Sequence, residues 1–268
     1  MADPLAEHDV ELVRAANPSP LTLSGTNTWL VGRDPCWVVD PGPDLAEHVA
    51  AVLAAAALRG GIGAIAVTHD HGDHVGAVPA LVAGAGGDVA VHAARYPGAM
   101  VTGDGDAVGP LLRAIAVGGH APDLLCFAFG DAVCFTGDAV LGEGSVFIAP
   151  DPGALAGYLV GLERLRERNF ALLAPGHGPV VLDADAKLAG YLEHRRDRER
   201  RLVAALDGGA RTLDALLDAA WDDVPDAMRL PATVTLVAHL DKLAEEGRLP
   251  DGVEGRPAWF AQIGRHAH

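Results

Sequence analysis

The densest group of potential metal ligands in the chain is the segment Thr68-His69-Asp70-His71-Gly72-Asp73-His74. It has the pattern HxHxDH and begins where a predicted buried strand, residues 62–68, ends. Imidazole nitrogens and carboxylate oxygens are donors that zinc and other late first-row metals prefer. The segment therefore predicts a metal site. The alternative is a histidine-rich loop that only caps the next helix through Asp73.

Three more potential ligands lie beside glycine in loops that follow predicted strands. They are His120 in Gly118-Gly119-His120, Asp138 in Thr136-Gly137-Asp138 and His177 in Pro175-Gly176-His177-Gly178. One His or Asp in such a place is more often a turn or surface residue, but three at strand ends favour a shared site. Glycine permits tight turns and a close approach of the backbone to a bound ion.

The elements that must position these loops are short strands and helices in mixed order. Strands are predicted at residues 27–31, 36–40, 62–68, 89–92, 111–117, 124–129, 132–136 and 170–174. Helices are predicted at residues 45–58, with Asp44 as N-cap, and at 152–168. The pattern has more hairpins than a doubly wound sheet, so we expect an α+β fold whose sheets are covered by helices on their outer faces.

Beyond about residue 183 the strand signal almost disappears. Helices are predicted at residues 184–206, 212–220 with Thr212 as N-cap, and 231–246, followed by a β-hairpin over 248–260. Three helices and a hairpin make a winged-helix-like module. We therefore expect one domain at residues 1–183 and a second, helical domain at residues 184–268.

The series HxHxDH, GGH, TGD and PGHG resembles the metallo-β-lactamase superfamily, in the branch with glyoxalase II and RNase Z. Residues 25–32, 137–144 and 175–179 are similar to the lactamase-beta-2-like subgroup, which also has a small helical C-terminal domain. The resemblance implies an αββα metallo-β-lactamase sandwich, with the metal site at one edge, as the catalytic domain at 1–183. A small winged-helix-like domain would follow at 184–268.

Carried over position by position, the resemblance implies a site for two metal ions. The first ion would be bound by His69, His71 and His120, the second by Asp73, His74 and His177, and Asp138 would bridge them. Two zinc ions are implied, and manganese or iron accept the same donors. A hydroxide that bridges two such ions is a nucleophile at neutral pH, which makes Asp73 and Asp138 the expected catalytic carboxylates.

The activity implied by the resemblance is metal-dependent hydrolysis, with phosphodiesters as the favoured substrates. The animal mitochondrial member of the subgroup is an endoribonuclease that acts on single-stranded RNA. The alternative is a thioester or small-ester hydrolase of glyoxalase II type. A second alternative is a nucleic-acid-binding or protein-docking regulator with a structural metal, but a structural site is normally closed by four ligands. Asp138 in place of Cys argues against an antibiotic-hydrolysing lactamase.

The loop after His120 departs from the family's pattern. Relatives often have Thr next and a polar or His residue three or four positions on, whereas Ala121, Pro122 and Leu124 follow here. The proton donor to the leaving group is therefore unassigned, and metal-bound water is the provisional choice.

The charge of the chain restricts its partners, because 20 Lys and Arg against 36 Asp and Glu give a net charge of −16. Such a body repels polyanions, so single-stranded RNA would need a local basic patch. Arg195 and Arg196, in the arginine-rich stretch 194–201, are candidate substrate contacts, and Trp29 is another. Acids interleaved in that stretch equally fit an ion-paired helix face. A small ester or thioester is the other candidate substrate, and a homodimer stays open.

The longest apolar stretch, residues 49–58, is far shorter than the roughly 20 residues that span a bilayer. The N-terminal residues lack the basic start and apolar run of a secretory signal. We therefore expect a cytoplasmic protein with no membrane partner. The three cysteines, Cys36, Cys126 and Cys134, show no CxxC spacing and are expected to be reduced core residues.

Overall fold

The computed structural model describes residues 4–149, 151–257 and 260. Its centre consists of two β-sheets. The six-stranded sheet contains, in spatial order, β1 (Val10–Arg14), β2 (Asn27–Val31), β3 (Cys36–Val39), β4 (Ile62–Ala66), β5 (Ala90–Ala93) and β6 (Met100–Val101). The five-stranded sheet contains β7 (Ala107–Val108), β8 (Leu112–Ala116), β9 (Leu125–Phe129), β10 (Val133–Gly137) and β11 (Leu172–Pro175), in the spatial order β11-β10-β9-β8-β7.

Helices cover the outer faces of both sheets. The helices of the described residues, which include those of the C-terminal part, are α1 (Ala46–Ala57), α2 (Gly72–Val75), α3 (Val78–Gly84), α4 (Ala154–Glu167), α5 (Ala184–Asp207), α6 (Leu213–Ala220) and α7 (Arg229–Glu245). Val52 of α1 and Leu81 of α3 pack against Ile65 of the first sheet. Leu162 of α4 and Leu188 of α5 belong to the core on the outer face of the second sheet. The predicted αββα sandwich is therefore confirmed.

The core between the two sheets is apolar and fully closed. Trp29 and Val39 of the first sheet meet Phe127 and Phe135 of the second, and all four side chains are at most 1% exposed. All three cysteines are buried and free, as the sequence predicts.

The strand directions bring the ligand-bearing loops to one edge. β9 is antiparallel to both β8 and β10, and β11 is parallel to β10, so β8, β10 and β11 end on the same side. His120, Asp138 and His177 follow these three ends. The HxHxDH loop after β4 joins the same edge, where the Leu125 N–H donates to the Thr68 carbonyl at 2.8 Å.

The C-terminal part is helical and has its own core. The end of α5, α6 and α7 enclose Leu206, Leu216, Trp221, Leu236 and Leu243. The predicted N-cap Thr212 is confirmed, since its hydroxyl accepts from the Ala215 N–H at 3.3 Å.

The predicted hairpin over 248–260 is wrong for the residues that the structure describes, because 248–257 contain no strand. Glu254 explains the difference. Its backbone N–H donates to the Arg211 carbonyl at 2.7 Å, and its carboxylate accepts from the Leu213 N–H at the start of α6. The segment therefore pairs with the residues before α6 instead of with itself.

Several elements differ from expectation in smaller ways. Asp44 does not cap α1, since Leu45 occupies the N-cap position and makes no side-chain cap bond. The elements β1, β6, β7, α2 and α3 lie outside the predicted ones. Among the helices of the described residues, none combines the length and apolar character that crossing a bilayer requires.

Candidate metal centre

The first half of the predicted site is a cluster of three imidazoles. Nε2 of His69 lies 2.9 Å from Nδ1 of His71, and Nε2 of His120 lies 3.1 Å from the same atom. His69 and His120 are buried, at 1% and 4% exposure. Potential ligand atoms of these three residues lie within 4.8 Å of one another, which is the separation that a shared ion requires.

The second half lies beside the first. Nε2 of His177 lies 3.3 Å from Nε2 of His74 and 3.3 Å from Oδ2 of Asp73. Asp138 stands between the halves: its Oδ1 is 3.4 Å from Nε2 of His177, and its Oδ2 is 3.5 Å from Nε2 of His120. The structure thus brings together all seven side chains that the sequence singles out.

The outer ring nitrogens of three histidines are held by oxygen acceptors. Nδ1 of His74 donates to Asp40 at 2.9 Å, Nδ1 of His120 to the Phe147 carbonyl at 3.4 Å, and Nδ1 of His177 to the Gly25 carbonyl at 3.5 Å. Each bond leaves the Nε2 lone pair aimed at the centre, which is how metal-binding histidines are oriented in proteins.

The arrangement of these side chains is more favourable with metal ions bound between them than without any ion. Oδ1 of Asp138 is buried and makes no well-formed hydrogen bond among the described residues. Converging imidazole lone pairs repel one another unless a proton or a cation lies between them. A buried carboxylate with an unpaired oxygen and several inward lone pairs is the arrangement that divalent ions neutralise.

The pKa values of these groups follow from burial and from their neighbours. Burial lowers the pKa of His120 to about 4 and that of His69 well below its usual value. Burial alone would also lower the pKa of His74, but the carboxylates of Asp40 and Asp138 outweigh it and raise that pKa to about 9. Burial opposes ionisation of Asp138, yet His74 and His177 hold its pKa well below the usual range. The second half therefore attracts a cation strongly.

The cluster opens into one large cavity of about 1950 Å³, which we call the main cavity. His71, His120, Asp138 and His177 are among the residues that line it. Its walls come from the loop at residues 19–23, the loop at 139–149, helices α5 and α7, and the segment at 221–228 that precedes α7. Apolar lining residues include Leu23, Val146, Phe147, Val224, Met228 and Val234.

Two segments of the chain match known protein families. Residues 21–100 match the metallo-beta-lactamase superfamily, and residues 212–252 match the beta-lactamase associated winged helix domain. The chain is 32% identical over 277 residues to the lactamase-like protein adaB of Aspergillus niger, covering 93% of this chain and 84% of that one. The chain belongs to the metallo-beta-lactamase superfamily.

The chain is also similar to two further proteins of this kind. The chain is 36% identical to the atrochrysone carboxyl ACP thioesterase of Aspergillus chevalieri, over 92% of this chain and 85% of that one. The crystal structure of a beta-lactamase domain protein from Burkholderia ambifaria matches with a TM-score of 0.74 at 22% identity, covering 91% of this chain and 90% of that one. The last likeness shows the fold, and together the matches identify a hydrolase with a C-terminal winged helix domain.

The three predicted substrate contacts of this superfamily member differ in their placement. Arg195 is 2% exposed and lines the main cavity. Arg196 is exposed, forms an ion pair with Glu163 at 2.7 Å and does not line the cavity. Trp29 is 1% exposed in the core between the sheets, where its indole N–H donates to the Pro175 carbonyl at 3.3 Å. Trp259, an aromatic residue near the end of the sequence that could also serve as a stacking platform, lies outside the described residues.

Sequence reasoning missed two carboxylates that hold the ligand loops. Both oxygens of Asp40 are acceptors: Oδ1 receives the Thr68 N–H, and Oδ2 receives the Thr68 hydroxyl and His74 Nδ1, at 2.8 to 2.9 Å. Asp123 accepts from the Asp70 N–H at 3.0 Å and so joins the HxHxDH loop to the loop after His120. Asp40 directly follows β3, and His69 follows β4, the parallel neighbour of β3. A carboxylate at the end of the strand next to the ligand-bearing strand is the sequence signal that could have identified Asp40.

Replacing Asp40 by Asn is expected to weaken metal binding by about 10- to 100-fold. Both oxygens of Asp40 accept hydrogen bonds, so in either orientation of the Asn amide its NH₂ group would face a hydrogen-bond donor and one of these bonds would be lost. His74 then loses its fixed orientation. Competition with a chromophoric chelator measures the affinity. The exposed Asp44→Asn exchange is the matched control, and equal affinities for both variants would contradict the role given to Asp40.

Proposed function

We propose that this superfamily member is a dinuclear zinc thioesterase. His69, His71 and His120 would hold one ion, Asp73, His74 and His177 the other, and Asp138 would contact both. The observation that carries the proposal is the opening of this ligand cluster into a cavity of about 1950 Å³ with largely apolar walls. Such walls suit an acyl chain, and a relative of 36% identity is named as a thioesterase.

The same surface does not favour RNA. A single strand needs a basic groove with aromatic stacking platforms. The exposed arginines of α5 are instead paired within the chain: Arg196 with Glu163, Arg200 with Glu193 and Asp197, and Arg201 with Asp222. Trp221 is buried in the core of the C-terminal helices at 3% exposure. These contacts match the ion-paired helix face that the sequence left as an alternative.

The chemistry of the leaving group also favours a thioester. When bound, the metal ions supply Lewis acidity toward the substrate carbonyl and activate water near neutral pH. A thiol has a pKa of about 8.5, so it leaves as a thiolate without a strong proton donor. The residues after His120 offer no evident donor, and an alkoxide leaving group would need one. The chain's own residues orient the ligands and form the walls of the cavity.

The residues around Asp183 support the division of the chain at 183/184. Asp183 begins α5 as its N-cap, with its carboxylate accepting from the Ala186 N–H at 3.0 Å. From this point the chain contributes helices to the cavity wall and none of the potential ligands. We propose residues 1–183 as the catalytic unit and 184–268 as a cover that shapes the substrate pocket.

Removing the metal is expected to abolish thioester hydrolysis, with a loss of at least about 10³-fold, because none of the seven residues of the ligand cluster is a Ser or Cys that could act as the nucleophile. The test uses zinc-loaded protein with hexanoyl-N-acetylcysteamine, before and after dialysis against a chelator, and after zinc is returned. End-labelled single-stranded RNA is assayed beside it. Cleavage of RNA without hydrolysis of the thioester would overturn the proposal.

A further inference from the structure

The guanidinium of Arg195 is a buried cation in the wall of the main cavity. Arg195 is 2% exposed and lies in the middle of α5. One of its terminal nitrogens, Nη2, donates to the Ser145 hydroxyl at 3.0 Å and to the Val146 carbonyl. Its Cζ lies 5.7 Å from the centre of the Tyr158 ring. Its Nε is buried and has no acceptor among the described residues.

No carboxylate of the described residues lies within ion-pair distance of Arg195, which sets it apart from its neighbours. Arg198, one turn on, also lines the cavity, but it pairs with Asp223 at 2.7 Å and donates to the Ala220 carbonyl. Arg200 is exposed and contacts two carboxylates. Arg195 is therefore the arginine of this helix that keeps its positive charge uncompensated.

An uncompensated charge in an apolar wall is unfavourable unless something neutralises it. A protein of net charge −16 has many acids that could pair with Arg195, yet none of those in the described part of the chain does so. The hydroxyl and carbonyl contacts fix the guanidinium without neutralising it. The position of the charge is therefore defined, and the described residues contain no counter-ion for it.

Arg195 is also close to the metal centre through a short chain of contacts. It holds Val146, and the next residue, Phe147, packs its ring 4.6 Å from that of His120. Ser145, Val146, Phe147 and His120 all line the same cavity. A ligand that occupies this part of the cavity can reach both the guanidinium and the ligand cluster.

We propose that Arg195 binds an anionic oxygen group, a carboxylate or a phosphate, on the substrate. The proposal rests on the proposed function and narrows its substrate class to thioesters that carry a negative charge away from the scissile bond. The remainder of the substrate contacts the apolar wall. The acyl half and the thiol half are both candidates to carry the anion, because an anion on either half meets a guanidinium with the same geometry.

The test compares anionic thioesters with neutral ones of equal length. The acyl arm pairs succinyl with butyryl, glutaryl with pentanoyl and adipyl with hexanoyl thioesters of N-acetylcysteamine. The thiol arm pairs hexanoyl-3-mercaptopropionate with hexanoyl-3-mercaptopropionamide. The proteins are the zinc-loaded parent, Arg195→Met, Arg195→Lys and the control Arg200→Met, which removes the same charge from an exposed site on the same helix.

The parent is expected to prefer the anionic member of at least one pair by about 10- to 100-fold in kcat/KM. In Arg195→Met the anionic-to-neutral ratio of kcat/KM is expected to fall close to one, mainly because KM for the anionic thioester rises. Arg195→Lys is expected to keep most of the preference, and the control Arg200→Met to leave it unchanged. The arm in which the ratio falls identifies the half that carries the anion. A parent ratio near one in every pair, or an Arg195→Met variant that loses both members equally, overturns the proposal.

Calorimetric binding of non-hydrolysable thioethers separates this proposal from the proposed function. The probes are the S-(5-carboxypentyl) and S-hexyl thioethers of N-acetylcysteamine and the S-hexyl thioether of 3-mercaptopropionate. If the parent binds an anionic thioether more strongly than the neutral one and Arg195→Met loses this difference, the anion site is supported. A failure to hydrolyse any thioester would then overturn only the proposed function. Hydrolysis of thioesters without any charge preference would overturn only the anion site.

Discussion

Replacing Asp138 by Asn is expected to lower kcat/KM for thioesters by at least about 10³-fold, which corresponds to about 4 kcal/mol of transition-state stabilisation. The carboxylate of Asp138 lies 3.4 to 3.5 Å from Nε2 of His74, His120 and His177. An amide of the same shape removes the negative charge from the centre of the cluster. It also directs an NH₂ group toward atoms that must face a cation.

The measurement combines metal analysis with steady-state hydrolysis and a thermal melt. Asp131→Asn is the matched control, because Asp131 lies in the β9–β10 turn just before the strand that carries Asp138 and is 85% exposed. We expect the control to match the parent in every respect. An Asp138→Asn protein with parental metal content and parental kcat/KM would show that this carboxylate is not part of the catalytic centre.

The ligand cluster was predictable because its signal is local. His69, His71, Asp73 and His74 lie within six residues, and the pattern fixes them on one loop whatever the rest of the fold does. His120, Asp138 and His177 each follow an apolar strand, and strands that point in one direction end at one edge. Strand ends and glycine positions therefore favour one shared site, and the full set of seven ligands is what the family resemblance implies.

The contacts that support the cluster were not predictable in the same way. Asp40 looks like an ordinary turn residue before Pro41-Gly42-Pro43, and its role depends on the register between β3 and β4. Within the arginine-rich stretch, helical periodicity alone does not say which side chains face inward. Arg195 and Arg198 are buried while Arg196 and Arg200 are paired at the surface, and only packing against α4 and α6 decides this.

Substrate class was the least predictable feature, because it depends on a cavity built from distant segments. Leu23, Phe147, Val224 and Met228 share no motif and lie on loops and helices from both ends of the chain. The motif resemblance favours RNA, whereas the walls of the cavity favour an acyl chain. The motif specifies hydrolysis at a metal centre, and the residues that select the substrate lie outside it.

Replacing Gly176 by Ala is expected to lower kcat/KM by at least about 100-fold and to destabilise the fold by about 1 to 3 kcal/mol. A Cβ at this position would lie 2.7 Å from Oδ1 of Asp138 and 2.7 Å from Cε1 of His74. The backbone cannot retreat, because its N–H donates to the Gly137 carbonyl at 2.9 Å and its carbonyl accepts from the Asn27 N–H at 2.8 Å.

The glycine of the PGHG motif thus makes room for the side chains of two ligands, and a methyl group there displaces them. Gly190→Ala is the control: Gly190 lies on α5, an added Cβ meets nothing within 4 Å, and helix propensity predicts a gain of about 1 kcal/mol. Urea unfolding and hydrolysis of one thioester measure both effects. A Gly176→Ala protein with parental activity would mean that Asp138 and His74 tolerate a displacement, which is incompatible with their sharing one tightly held ion.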